Sequence, residues 1–171
     1  DDVSLTVTPA SYANCLESGG LRIVGRSRCT QPIINIGPTS GSIRFSVIPR
    51  HDENVVFKFN SPNVFGSIFR FDNNNLIQVV WIANSQLQLR IVVGGVITND
   101  TWNPATMNAD TEYSLRIDYN ATQIVLFVDD VARCTCIPGA GIDFGASVPN
   151  TAYWLHNESY ARHYDAVIKA P

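Results

Sequence analysis

Ser42-Ile43-Arg44-Phe45-Ser46-Val47-Ile48 alternates polar and apolar side chains along its length. Side chains on an extended chain point to opposite faces with a period of two. Ile43, Phe45 and Val47 therefore fall on one face, and Ser42, Arg44 and Ser46 on the other. This is a strand with one side in a core and one in water, and Pro49 ends it. The same reading extends outward. Upstream, residues 4–8, 21–24 and 33–36 read as short strands, 9–20 as turns and 26–29 as a basic loop. Downstream, strands are expected over 54–59, 67–71, 76–82, 86–93, 112–118, 123–129, 131–136, 153–155 and 164–169. Residues 100–110 read as an irregular loop. Asp72-Asn73-Asn74-Asn75, Asn84-Ser85 and Asp129-Asp130 are turn signals, because Asn and Asp tolerate positive φ.

No segment carries a sustained helical period, and no repeat or linker interrupts the pattern. About a dozen short strands with frequent turns specify an all-β, antiparallel two-sheet sandwich or barrel in a single domain. Composition agrees. The 171 residues include ten Arg against two Lys, eleven Asp against four Glu, and fifteen Asn. Lys and Glu usually fill exposed helix surfaces, so their scarcity argues against helices. A net charge of −3 gives no overall basic field for nucleic acid. The longest apolar run, residues 91–97, is broken by Gly94 and Gly95 and is too short for membrane insertion.

Thr101-Trp102, Tyr113-Ser114-Leu115-Arg116-Ile117-Asp118, Gln123-Ile124-Val125-Leu126-Phe127-Val128-Asp129-Asp130 and Tyr164-Asp165-Ala166-Val167-Ile168-Lys169 together resemble the concanavalin A-like, laminin G-like jelly rolls. The resemblance covers about residues 41–171. Residues 1–40 read as an N-terminal extension or as part of the same sandwich. One departure is Asp130, where that family usually has Gly or Asn. The resemblance implies a jelly roll of two antiparallel sheets, with a concave face where saccharides lie.

Cys15, Cys29, Cys134 and Cys136 form two close pairs far apart in the chain. Four cysteines allow three disulfide connectivities. The simplest ties Cys134 and Cys136 to the N-terminal pair, since two cysteines two apart on a strand sit at the upper limit for bridging each other. The spacings do not match the knuckles of a four-cysteine zinc site. Sequons at Asn99, Asn120 and Asn157 occur about as often as chance provides. With the cysteines they favour a secreted, extracellular protein.

Glycoside hydrolysis needs a pair of acids flanking the scissile bond. Glucan-cleaving relatives of the resembled fold place acids in an E-x-D-x-x-E strand. None of the glutamates here, Glu17, Glu53, Glu112 and Glu158, has that spacing. His51, His156 and His163 all fall in loops or at strand edges. The chain is therefore expected to be non-catalytic.

The polar side of the strands points elsewhere. Arg44, Arg70, Gln78, Gln88, Arg90 and Arg116 alternate with core residues, and arginine offers a planar fork for carboxylate or sulfate; the competing role is a solvated sheet face whose arginines pair with Asp118 or other acids across strands. Trp102 and Trp154 are candidate platforms for sugar rings, Trp102 being expected in an exposed loop, although the commoner role of a lone Trp is core or staple. Trp81 reads as core. The resulting expectation is a lectin-like domain or carbohydrate-binding module whose partner is a polysaccharide or other glycan. The alternatives are a structural or adhesion subunit that assembles with itself or other surface proteins, and a divergent polysaccharide lyase or hydrolase. Calcium is a candidate cofactor at Asp72, Asn73 and Asn75, because several members of the resembled family hold it with Asp, Asn and backbone oxygens. The competing role for those residues is a hairpin turn.

Overall fold

A computed structural model describes residues 6–8, 15–17, 20–25, 28–31, 37–49, 66–82, 86–145, 151–154 and 164–169, with side chains over 37–49, 69–80, 86–145 and at 169. The elements are β1 (Thr6–Thr8), β2 (Cys15–Glu17), β3 (Gly20–Gly25), β4 (Arg28–Gln31), β5 (Gly41–Pro49), β6 (Gly66–Arg70) and β7 (Leu76–Ile82). They continue with β8 (Gln86–Val93), β9 (Val96–Trp102), β10 (Tyr113–Tyr119), β11 (Ile124–Val128), β12 (Val131–Cys136), β13 (Thr151–Trp154) and β14 (Tyr164–Lys169). These form two seven-stranded antiparallel sheets. Sheet A has the order β1-β4-β13-β6-β7-β8-β9, and sheet B the order β12-β11-β10-β5-β14-β3-β2. The molecule is a β-sandwich, as the alternation requires.

The core lies between the sheets and is built from the predicted faces. Ile43, Phe45 and Val47 of β5 are buried together with Leu115 and Ile117 of β10 and Ile124 and Leu126 of β11. Opposite them stand Phe69, Ile77, Val79, Leu87, Leu89 and Ile91 of sheet A. Phe45 and Phe69 meet across the gap with ring centroids 6.0 Å apart. At one end Phe71 stacks on Phe144 at 4.1 Å, and Tyr119 packs edge-on against Phe144 at 5.5 Å. Tyr119 Oη escapes an unpaired burial by donating to Gly37 O at 2.6 Å. Ile142 N donates to Ala121 O at 2.8 Å, so the chain after β12 folds back as a lid on this end.

Turn chemistry follows the sequence closely at β11–β12. Asp129 and Asp130 both take positive φ, 50° and 59°. The Asp129 carboxylate accepts from Ser114 N at 2.9 Å, and Asp129 N donates to Ser114 O at 2.8 Å. Asp130 thus serves where the resembled family uses Gly or Asn. Three other expectations need correction. The basic stretch around residues 26–29 is not wholly a loop, because β4 begins at Arg28 and pairs with both β1 and β13. The turn-rich segment 9–20 contains β2, which pairs with β3. The loop expected from residue 100 begins only after Trp102, because β9 runs from Val96 to Trp102 on the edge of sheet A. Gly94 and Gly95, at φ 57° and 82°, make the hairpin that feeds it. The strands expected over 33–36 and 54–59 lie outside the described residues.

The expected disulfides of Cys134 and Cys136 are also corrected. Both are free thiols, each 1% exposed and turned into the core. Cys134 Sγ donates to Leu87 O at 3.6 Å and Cys136 Sγ to Leu89 O at 3.5 Å. Strand order explains why the N-terminal cysteines do not reach them. β2, carrying Cys15, is at the opposite edge of sheet B from β12, six spacings or about 29 Å away. β4, carrying Cys29, is four strands from β8, which β12 overlies, about 19 Å away. Bridging needs Cα atoms within about 7 Å.

Candidate functional site

The side chains expected to share one polar face are divided between two opposite faces. Arg44 and Arg116 lie on the outer face of sheet B, where they are direct cross-strand partners. Arg70, Gln78, Gln88 and Arg90 lie on the outer face of sheet A, on β6, β7 and β8.

On sheet B, Arg116 is consumed by the fold. Its guanidinium lies 4.0 Å over the Phe127 ring. It donates to the carboxylates of Asp118 and Asp130. Ser42 Oγ donates to the other Asp118 oxygen at 2.7 Å. Lys169 Nζ pairs with Glu112 at 2.6 Å and holds that carboxyl below its usual range. Arg44 is exposed beside this network. Among the described side chains, the outer face of sheet B thus mixes charge of both signs, with Arg116 and Lys169 paired to acids.

Sheet A differs. The register aligns Gln78 with Arg90 and Arg90 with Asn99, one cross-strand row on β7, β8 and β9. The next row aligns Val80, Gln88 and Thr101, and Gln88 Nε2 donates to Thr101 Oγ1 at 3.3 Å. On the other side Arg70, Leu76, Val92 and Ile97 form a third row, mostly apolar. Within this surface Arg90 is half-buried, its Nε has no hydrogen bond, and among the described residues it has no ion pair. Arg70 is held near the β6–β7 turn, where its guanidinium donates to Asn73 Oδ1 at 3.5 Å. Exposed Ile97 and half-buried Leu76 supply apolar contact area beside the polar rows.

Asn99 and Thr101 belong to this surface although the sequence marked only a sequon at Asn99. Their strand, Val96-Ile97-Thr98-Asn99-Asp100-Thr101-Trp102, lacks alternation because an edge strand buries little of either face. The double glycine before it was the available signal. Asn120, at the second sequon, uses its Oδ1 to accept from Thr122 N, Thr122 Oγ1 and Gln123 N within its own turn. Asn157 and the histidines His51, His156 and His163 lie outside the described residues.

Trp102 takes the core-packing role and not that of an exposed platform, and it lies on a strand instead of in a loop. It ends β9, half-buried against the core, and the Arg133 guanidinium covers its ring at 4.3 Å. Beside it Asp100 bridges the two sheets, its carboxylate accepting from Thr101 N at 2.8 Å and from Thr135 N at 2.7 Å. Trp154 sits at the end of β13 in register with Cys29, and its side chain, like that of Trp81, is outside the described set.

At the β6–β7 turn, Asp72 accepts from Asn74 N at 2.7 Å and from Asn75 Nδ2 at 2.8 Å. These hydrogen bonds, the Asn75 side chain first, hold its carboxyl below the usual range. Asn75 Oδ1 accepts from Gly94 N at 2.8 Å, locking the β6–β7 turn to the β8–β9 turn. Asp72, Asn73 and Asn75 offer one carboxylate, already engaged and close to Arg70. Asn73 Oδ1 accepts from Arg70 and Asn75 Oδ1 from Gly94, so the side-chain oxygens of these residues are engaged in the hairpin turn.

No family model matches the sequence, and no curated protein does. Solved structures of low identity share its fold. A carbohydrate binding module of Bacillus subtilis, CBM66, superposes with a TM-score of 0.58 at 10% identity, over 97% of this chain and 92% of that one. Domain 4 of AbnA, an extracellular arabinanase of Geobacillus stearothermophilus in complex with arabinotriose, gives 0.60 at 11% identity over 98% and 82%. A β-glucanase of Bacillus licheniformis gives 0.60 at 11% identity over 98% and 92%. The fold is therefore the concanavalin A-like jelly roll that the sequence resembles. It carries binding modules and an enzyme alike, so function has to be argued from the surface.

Proposed function

We propose that this chain is a secreted, non-catalytic glycan-binding domain, and that its contact surface is the outer face of sheet A. The observation that carries the reading is the alignment of Gln78, Arg90 and Asn99 in one row and of Gln88 and Thr101 in the next. Amides, a hydroxyl and a guanidinium that makes no ion pair among the described residues then share one sheet face, with rows about 7 Å apart along each strand. Sugar hydroxyls are donors and acceptors at once, which suits amide side chains that offer both. The adjoining Leu76 and Ile97 can take the C–H face of a sugar ring. Two of the solved structures with this fold are named for carbohydrate binding or hold a bound arabinotriose, which supports the ligand class.

The experiment is a glycan array probed with the protein and with a Gln78→Ala, Gln88→Ala double variant. Binding by the parent that falls at least tenfold in the double variant is the expected result. Binding unaffected by the double variant would remove the site from this face, and no binding to any glycan would overturn the reading.

A second reading, self-assembly, has one observation in its favour: Val96, Ile97, Val131 and Ile137 are large apolar side chains exposed by 67%, 52%, 49% and 67%. Sedimentation at increasing concentration tests it, and a monomer throughout would dismiss it.

A further inference from the structure

The outward register positions of sheet A carry charge of a single sign. Counting across all seven strands, Arg28, Arg70 and Arg90 occupy outward positions, and no Asp or Glu does. This holds in a chain with 15 acids against 12 bases and a net charge of −3. The acids of sheet A's strands and turns are diverted. Asp100 falls on the inward register, opposite Leu89, and spends its carboxylate on Thr101 N and Thr135 N. Asp72 is tied into its own turn. The outward register of sheet B, by contrast, mixes Arg22, Arg44, Arg116 and Lys169 with Glu17, Asp118 and Asp165.

We infer that the ligand of the sheet A face is an anionic glycan bearing carboxylate or sulfate groups, and that Arg90 selects for that charge. The inference rests on the glycan-binding reading above and narrows it. Arg90 is the side chain that gives it physical content. Arg90 is half-buried and its Nε is buried without a hydrogen bond, so the guanidinium meets a ligand through its two Nη groups, where a carboxylate or sulfate makes two parallel charge-assisted bonds. A neutral sugar hydroxyl satisfies one donor and leaves the charge uncompensated.

The spacing suits a polymer better than a single sugar. Arg70 lies two strands and one row from Arg90, about 12 Å between Cα atoms. Arg28 lies four strands away on the other side of Arg90's row, about 20 Å from it. These register positions are spaced at distances that a polysaccharide chain spans. Gln78, on the strand between Arg70 and Arg90, is placed for the hydroxyls of the intervening residues.

The test is calorimetric titration of the intact chain with oligogalacturonate, with the same oligomer fully methyl-esterified, with dextran sulfate and with neutral arabinan, repeated for Arg90→Gln and Arg90→Lys. The inference expects at least tenfold tighter binding of one or both anionic ligands than of the ester and arabinan. It also expects at least a tenfold loss for anionic ligands in Arg90→Gln, a smaller loss in Arg90→Lys, and less than twofold change for neutral ones. Carboxylate preferred over sulfate identifies a uronate, and the reverse a sulfated glycan; both support the inference. Equal binding of ester and acid that still depends on Gln78 and Gln88 overturns the anionic inference and leaves the glycan reading standing. Failure of all four ligands together with an empty array overturns both. Unchanged melting of Arg90→Gln certifies that a lost affinity is not lost structure.

Discussion

Arg90 and Arg116 occupy central strands of opposite sheets, and the structure predicts different stability effects when each is replaced by Met. Both side chains carry a buried Nε without a hydrogen bond. Leaving such a donor unsatisfied costs roughly 1–3 kcal/mol, and methionine removes the donor while keeping most of the apolar stem. For Arg90→Met this gain has nothing to offset it, because Arg90 makes no ion pair among the described residues. Arg116→Met makes the same gain but forfeits two contacts. One is the charge-assisted bond to Asp118, discounted to about 1 kcal/mol because that carboxylate is 36% exposed. The other is the guanidinium over Phe127, worth about 0.5–1 kcal/mol. The contact with Asp130 adds nothing measurable, since that side chain is 90% exposed. Relief of the like-charge pairing with Arg44 returns a few tenths. Arg90→Met should therefore be the more stable variant by about 1–2 kcal/mol, a gap of about 2–8 °C in melting temperature for a domain of this size. Differential scanning calorimetry at moderate salt measures it. A melting temperature for Arg90→Met at or below that of Arg116→Met would show that Arg90 is held by the fold, and would remove the argument that its guanidinium is kept for a ligand.

Cys134 and Cys136 should both be recovered as free thiols, with no alkylation of the native protein at pH 8 and full alkylation in denaturant, read by mass spectrometry. A non-reducing peptide map that links Cys134 or Cys136 to Cys15 or Cys29 would contradict the strand order. Burial raises both thiols, Cys136 from about 9 to about 12. The unfolded chain therefore releases these protons first, and stability should fall as pH rises from about 9 toward 12, by at most about 4 kcal/mol for Cys136. Cys136→Val should flatten that fall, and an identical pH profile would show the thiol is not responsible. In the lid after β12, Gly141 and Gly145 both sit at φ 78°, but only at Gly141 would a Cβ lie 2.9 Å from a backbone oxygen, that of Ala121. Gly145→Ala should cost about 1 kcal/mol for the left-handed backbone, and Gly141→Ala about 1–2 kcal/mol more. Equal losses in chemical denaturation would show that the lid moves freely away from Ala121.

The central strands were legible because burial and alternation coincide there. β7, β8, β12 and β14 have the bounds that periodicity gives, and β8 shows why: Leu87, Leu89 and Ile91 are buried while Gln86, Gln88 and Arg90 between them are half-buried. β9 was not legible: an edge strand whose side chains are mostly exposed or half-buried has no reason to alternate, and its Asn99 and Thr101 looked like loop residues. The six polar strand positions were identified individually, but alternation says only that a side chain faces away from its neighbours. Which sheet it then belongs to depends on pairing between strands distant in sequence. Pairing of a sheet-face arginine with Asp118 was legible and Arg116 makes it, whereas Asp130 and Phe127 join that cluster only through the β11–β12 turn and the β10–β11 register. The cysteines failed for the same reason. Their spacing suggested a staple, but strand order puts β2 and β12 at opposite edges.

The most direct test of the sheet A face is an amide NMR titration of the intact protein with whichever array glycan binds tightest. The account predicts saturable shifts concentrated at Gln78, Gln88, Arg90, Asn99 and Thr101, with Arg44, Ser114 and Phe127 unmoved. Shifts centred on β5, β10 and β11, or on the Trp102 margin with sheet A silent, would contradict it.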